Sequence, residues 1–240
     1  MSTYFKMEIL RTVRNGRYLI FTFLVPMILF LVIGAPNKGQ RAGAVTLAAY
    51  YMTSMALYGA MAAVMTSGGR IAMERAVGWH RQLRLTGLSG RSYIMSKILT
   101  GYATALPGMI LILAAGALTH SANISPLRWL GIGAAILIGL APMAALGVLI
   151  GYLATGESMQ QITGLLFLFL SLLSGIWFSI NNGWFLRVAE ASPLYWAGQA
   201  ARDAMQGIWV GWHGVAIIAI WTVVLARLAM RCYQRATARA

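Results

Sequence analysis

Residues 129–153 read WLGIGAAILIGLAPMAALGVLIGYL, without one charged side chain. About 20 mostly apolar residues are enough to carry a helix across the hydrocarbon core of a bilayer. A strand or a globular core helix has no need of so long a run, so this stretch assigns the chain to lipid rather than to water. Working outward from it, five more apolar stretches fall at roughly 17–34, 44–66, 98–118, 161–180 and 212–230. The reading is an all-α polytopic membrane protein: six transmembrane helices forming a single domain over residues 1–240. Composition points the same way, with 59% hydrophobic residues, 10% charged residues and a mean hydropathy of +0.71. A soluble domain carries about 25% charged residues. A chain this apolar cannot clothe itself in polar groups, which excludes a soluble globular enzyme and an intrinsically disordered segment.

The charge is lopsided, 19 basic residues against 5 acidic. Lys6, Arg11, Arg14 and Arg17 belong to the N-terminal segment, up to the start of the first stretch. Arg70, Arg75, Arg81, Arg84, Arg91 and Lys97 lie between the second and third, and Arg227, Arg231, Arg235 and Arg239 run from the end of the sixth into the tail. Only Lys38, Arg41, Arg128, Arg187 and Arg202 belong to the opposite side. Cytoplasmic loops collect Lys and Arg, so both termini and the 67–97 segment are read as cytoplasmic. Membrane topology accounts for the basic excess, and no nucleic-acid partner is needed. A single cysteine, Cys232, leaves no intrachain disulfide, and His80, His120 and His213 are too scattered for a metal site. No cleavable leader is read, because the first apolar run is long enough to stay as a span.

The segments between spans have their own character. Residues 1–16 form a helical pattern with Phe5, Ile9 and Val13 on one face and Lys6, Arg11 and Arg14 away from it, as in an interfacial helix lying on the membrane. Within 67–97, Ala72, Ala76, Trp79 and Leu83 keep helical spacing, while Glu74, Gly78 and Arg81 form another face. A short amphipathic helix of that kind lies on lipid or docks into a partner's groove. Residues 181–211 hold Trp184, Phe185, Tyr195, Trp196 and Trp209, open on Asn181-Asn182-Gly183 and are interrupted by Pro193. They read as two short outer helices, interfacial or re-entrant, although an aromatic belt at the span ends gives the same composition. Arg227, Arg231, Arg235 and Arg239 recur every four residues, which sets one basic helix face against anionic lipid at about 1 kcal/mol per residue.

The missing chemistry narrows the function further. Mid-depth positions of the spans lack ionisable side chains, which argues against ion or proton coupling. Ser171, Ser174 and Thr163 sit in the fifth stretch without a base near them in sequence, so they read as packing residues and not as a hydrolase centre. The chain has no Gly-x-x-x-x-Gly-Lys-Ser/Thr segment, so any ATP must be bound by another chain. Gly147 with Gly151, and Gly131, Ala135 and Gly139, have the four-residue spacing of close helix packing. Pro26, Pro107 and Pro142 fall inside spans, where they kink a helix and free carbonyls, either bending the bundle or shaping a cavity. Met27, Met55, Met61, Met65, Met109 and Met143 serve as gap fillers or as a polarisable lining.

Glu74-Arg75-Ala76-Val77-Gly78 resembles the Glu-x-x-x-Gly of the coupling helix in type-2 ABC exporters. Leu83-Arg84-Leu85-Thr86-Gly87-Leu88-Ser89, then Tyr93 and Lys97, resemble that family's return into the third span. Ser174-Gly175-Ile176-Trp177-Phe178 and Ala191-Ser192-Pro193-Leu194 are similar to its segment between spans five and six. One departure is Asn181-Asn182-Gly183-Trp184, where many members have a proline-rich turn. The resemblance is to the permease subunit of a bacterial type-2 ABC exporter of the drug-export-like branch. It implies a cytoplasmic coupling helix after span two, with Glu74, Arg75, Gly78 and Arg81 facing a separate ABC ATPase subunit that holds ATP and magnesium. It also implies a second permease subunit, identical or related, and residence in the bacterial cytoplasmic membrane. The cargo it implies is a hydrophobic or amphipathic small molecule, a drug or antibiotic. Export of a lipid-linked glycan or lipid, a non-ABC carrier, and a membrane scaffold stand as the alternatives. This chain is read as a non-enzymatic subunit with no cofactor of its own.

Overall fold

The computed structural model describes residues 2–78, 89–180, 183–209 and 211–238. An N-terminal helix, α1 (Ser2–Val13), leads into a helical run over 16–37, α2. A two-stranded ribbon follows, β1 (Arg41–Ala42) antiparallel to β2 (Val45–Thr46). Next come α3 (Leu47–Ala76), α4 (Gly90–Leu118), α5 (Pro126–Gly139), α6 (Ala141–Leu153) and α7 (Met159–Leu173). Two short helices, α8 (Gly183–Glu190) and α9 (Pro193–Gln206), precede the last, α10 (Trp212–Ala238). Among the described residues, four stretches are long and apolar enough to cross a membrane: α3, α4, the α5–α6 pair and α10. Thr22–Asn37 and α7 are shorter apolar helices.

Local chemistry sets several boundaries. The Thr46 side chain caps α3 by accepting from the Ala49 N–H at 3.2 Å, and Ser89 does the same for α4 through Ser92 at 3.2 Å. Pro126 opens α5, where its missing N–H costs nothing. Leu140 separates α5 from α6 just ahead of Pro142, so the long apolar run bends there as expected. Pro26 acts differently: it lies between two π-helical turns, Ile20–Leu24 and Phe30–Gly34. Proline cannot donate to the carbonyl four residues back. That carbonyl, Thr22 O, is where Gly59 of α3 comes closest, and a Cβ at Gly59 would stand 2.9 Å from it.

Two expected boundaries move. The segment 67–97 is not mainly loop. α3 runs on to Ala76 and α4 starts at Gly90, so Ala72 and Ala76 belong to the end of a long helix. Helix persists past the apolar part because polar side chains find partners inside; the Ser67 hydroxyl, for example, donates to Lys97 O at 2.7 Å. Trp79, Leu83 and Arg81, the rest of the expected amphipathic helix, lie outside the described residues, as do Asn181, Asn182 and Arg239. The fifth stretch ends early, at Leu173, where Gly175 turns the chain with φ +69°.

The core centres on α3. In its most apolar window 78% of residues are buried, against 17% for α10, which turns most of its apolar surface outward. α3 lies between α4 and α6 and also touches α2, α7 and α9. Of the methionines expected as filler or lining, Met55, Met61 and Met65 have no exposed surface and Met109 and Met143 almost none, as filler would, while Met27 is half-buried. The small-residue pattern marks the closest approaches. A Cβ on Gly68 would stand 2.5 Å from the Gly147 carbonyl carbon, and one on Gly151 2.5 Å from Gly68 O. On the second stripe, a Cβ on Gly139 would meet Ala197 of α9 at 2.4 Å.

Gly147→Ala therefore forces α3 and α6 apart and is expected to cost about 1–3 kcal/mol. Gly164→Ala on α7, where nothing lies within 4 Å, is expected to be neutral or to stabilise by about 0.5–1 kcal/mol. Reversible unfolding of both variants in mixed micelles checks the contrast.

Candidate functional site

Of the residues expected to face an ATPase, Glu74, Arg75 and Gly78 sit at the C-terminal end of α3, and the structure gives them different surroundings. Glu74 is 3% exposed. Its Oε1 lies 2.5 Å from Lys97 Nζ and 3.3 Å from Arg11 Nη1, and its Oε2 accepts from the Tyr93 hydroxyl at 2.5 Å. Lys97, on α4, has no exposed surface. Its ammonium also pairs with Glu8 Oε2 of α1 at 2.9 Å. Glu8 accepts in turn from the Tyr4 hydroxyl at 3.3 Å. The Tyr4 and Tyr93 rings flank the ammonium at 5.8 and 5.5 Å. Two carboxylates, one ammonium and the half-exposed Arg11 guanidinium thus form a neutral cluster that joins three helices.

α1 is shaped by this cluster. The expectation placed its apolar residues against a surface and its charges away. Lys6, Arg11 and Arg14 are exposed and Phe5 and Ile9 half-buried, while Glu8 and Thr12 are its most buried described residues and Met7 and Leu10 are exposed. The Thr12 hydroxyl accepts from Arg70 Nη1 at 3.0 Å, and the Arg70 guanidinium covers the Tyr18 ring at 4.7 Å. The polar stripe therefore packs inward.

Arg75 donates to Tyr152 O at 2.6 Å and Gly151 O at 3.3 Å, capping carbonyls at the end of α6. Gly78 closes α3 at φ +71°, with its N–H bonded to Arg75 O at 3.1 Å. Among the described residues nothing lies within 4 Å of where its Cβ would be, so a partner's backbone has room beside them. Arg81 lies outside the described residues. The structure thus brings Glu74 and Arg75 into two adjoining networks beneath the open turn at Gly78.

Sequence reasoning did not single out Glu8 and counted Lys97 among the charges between the second and third stretches. The available signal was spacing: Tyr4, Glu8 and Arg11 make one polar stripe on α1, and Tyr93 and Lys97 another on α4. Two polar stripes on apolar-flanked helices have to meet each other.

Residues 1–205 match the sequence model of the ABC-2 type transporter family. The chain belongs to that family. YvfS of Bacillus subtilis (strain 168), named as a transport permease, is similar over 228 residues at 26% identity, covering 92% of this chain and 91% of that protein. This ABC-2 member is accordingly an integral membrane subunit of a transporter, in a family of transport subunits that typically pair with an ATPase.

Lys97→Met leaves two carboxylates buried without their ammonium and is expected to cost about 3–5 kcal/mol. Adding Glu74→Gln to it should cost less than the two single effects combined, by about 0.5–3 kcal/mol. A double-mutant cycle on unfolding in micelles measures that coupling.

Proposed function

We propose that this chain is the permease subunit of an ATP-driven exporter, crossing the bacterial cytoplasmic membrane six times with both termini inside. In this reading α7 and the 16–37 run complete the six spans, and α8 and α9 lie at the outer side. The 67–97 segment carries the coupling helix and meets a separate ABC ATPase, which binds ATP and magnesium. A second permease subunit, identical or related, completes the pathway. The cargo is a hydrophobic or amphipathic small molecule of the drug or antibiotic kind, in keeping with spans that offer mainly apolar and aromatic surface.

The observation that carries this reading is the ion cluster directly beneath the Gly78 turn. A push delivered at a flexible loop end dissipates unless its base is rigid. Here the base of the turn is bound to α1 and α4 through Glu74 and to α6 through Arg75. Gly78 and the segment after it make the contact, with Arg81 as a basic contact residue. Glu74 and Arg75 act from behind it, so that a displacement at the turn moves α3, α4 and α6 as one body. A membrane scaffold has no need of a braced turn of this kind.

The test is made on membranes that contain this chain and the ATPase encoded with it. Gly78→Val places a side chain at a positive φ and in the open space a partner would use. It is expected to reduce ATP-dependent efflux of a hydrophobic dye at least tenfold and to loosen co-purification of the ATPase, with insertion unchanged. Normal efflux in the variant, or no ATPase accompanying the unaltered chain, would overturn the assignment.

A further inference from the structure

At the end of the bundle away from the Gly78 turn, α9 carries Arg202, which is 7% exposed. Its guanidinium lies over the Tyr50 ring at 4.9 Å, and a Cβ on Gly198 would come within 3.2 Å of Nη1. The absence of a side chain at 198 is what leaves space for the charge. Among the described residues no carboxylate approaches the guanidinium within ion-pair distance. Its one side-chain acceptor is neutral, Gln199 Oε1 at 3.2 Å. The neighbouring acid, Asp203, takes the other end of that same amide, accepting from Gln199 Nε2 at 2.9 Å. The Tyr50 hydroxyl is directed elsewhere, donating to the Gly175 and Phe178 carbonyls. Burial lowers the pKa of Arg202 from its ordinary value, against the opposing influence of Tyr50, Tyr195 and Asp203.

A buried charge of this sort is normally paired, because leaving it alone in a low-dielectric site is costly. Arg202 instead lines a cavity of about 260 Å³, together with Tyr195, Gln199, Gln206, Ser179 and the Gly43 turn of the β-ribbon. The space is many times the share of one water, about 30 Å³. Asp203 is not part of the lining. Among the described residues, the lining therefore has one fixed positive charge, amide and hydroxyl groups around it, and no negative charge of its own. A planar guanidinium with free N–H groups matches the paired oxygens of a carboxylate or phosphate.

We propose that this cavity is a binding site for a single oxyanion group, phosphate or carboxylate, held by Arg202. The group arrives on a lipid headgroup or on a small soluble molecule; the recognition chemistry is the same. The inference does not depend on the coupling role of the Gly78 turn, and either can fail without the other.

The experiment uses the whole chain in neutral detergent at constant ionic strength. Thermal stability is titrated with inorganic phosphate, with a water-soluble short-chain phosphatidylglycerol and with the matching zwitterionic phosphatidylcholine. Stabilisation by both anions supports the proposal with a free anion sufficing. Stabilisation by the phosphatidylglycerol alone supports it with a headgroup as the source. Arg202→Gln should raise the half-saturating concentration at least tenfold. Gln199→Glu keeps the guanidinium and pairs it from within the helix, so it should give a similar loss even where Arg202→Gln folds poorly. The proposal is overturned if neither anion stabilises the unaltered chain. It is equally overturned if the zwitterion matches the phosphatidylglycerol while phosphate has no effect, or if both variants respond as the unaltered chain does.

Discussion

A lysine ammonium with no surface open to solvent has to be neutralised where it lies, and Lys97 is met by carboxylates from two different helices. Moving such a charge out of water costs several kcal/mol even after relaxation. Neither Glu8 nor Glu74 alone fills the ammonium's hydrogen-bonding capacity, and each carboxylate needs donors beyond Lys97. Tyr93, Tyr4 and Arg11 supply them. The cluster is therefore satisfied only when α1, α3 and α4 are in register together. A buried ion set contributes little net stability compared with an apolar core of the same volume, but it strongly penalises any arrangement that separates its members. At this end of the molecule that penalty fixes which helices move together.

The rest of the bundle is arranged around the same axis. α3 is the central helix because its small residues let α6 approach backbone to backbone at Gly68, Gly147 and Gly151. Its other face carries the polar residues that bind α4 and α1, such as Ser67 and Glu74. Arg75 ties the end of α6 to the same turn by capping its carbonyls. Side-chain chemistry thus converges below Gly78, while the opposite end is held by tyrosine hydroxyls. Tyr50 and Tyr51 donate to backbone carbonyls of the turn that follows α7. A helix held at both ends by directional bonds and along its length by close packing transmits displacement better than one held by apolar contacts alone.

Much of the fold was legible in the sequence because lipid imposes a simple rule. Apolar runs, prolines and four-residue glycine spacings located the helices, the bend at Leu140 and the α3–α6 contact surface on Gly147 and Gly151. Helix ends were less legible. Apolarity marks where a helix can enter lipid, not where its hydrogen bonding stops, so α3 and α4 run well past the stretches read for them. α7 stops short because Gly175 takes a left-handed turn inside an apolar run. Glu74 was singled out correctly as a residue of interest, but its surroundings depend on Glu8 and Lys97, distant in sequence and brought together by packing. Arg202 was counted as an outer charge for the same reason, since nothing local reveals that α9 folds its guanidinium over Tyr50.

The central claim is that the Glu8–Lys97–Glu74 set, and not lipid contact, holds α1 to the bundle. Hydrogen exchange of residues 2–13 in nanodiscs, compared between the unaltered chain and Lys97→Met, tests it most directly. The account predicts that amide protection of α1 is lost in the variant while protection of α3 and α6 around Gly68 and Gly147 is retained. Protection of α1 that survives the loss of the ammonium would contradict it and return α1 to the status of a helix held by the membrane surface.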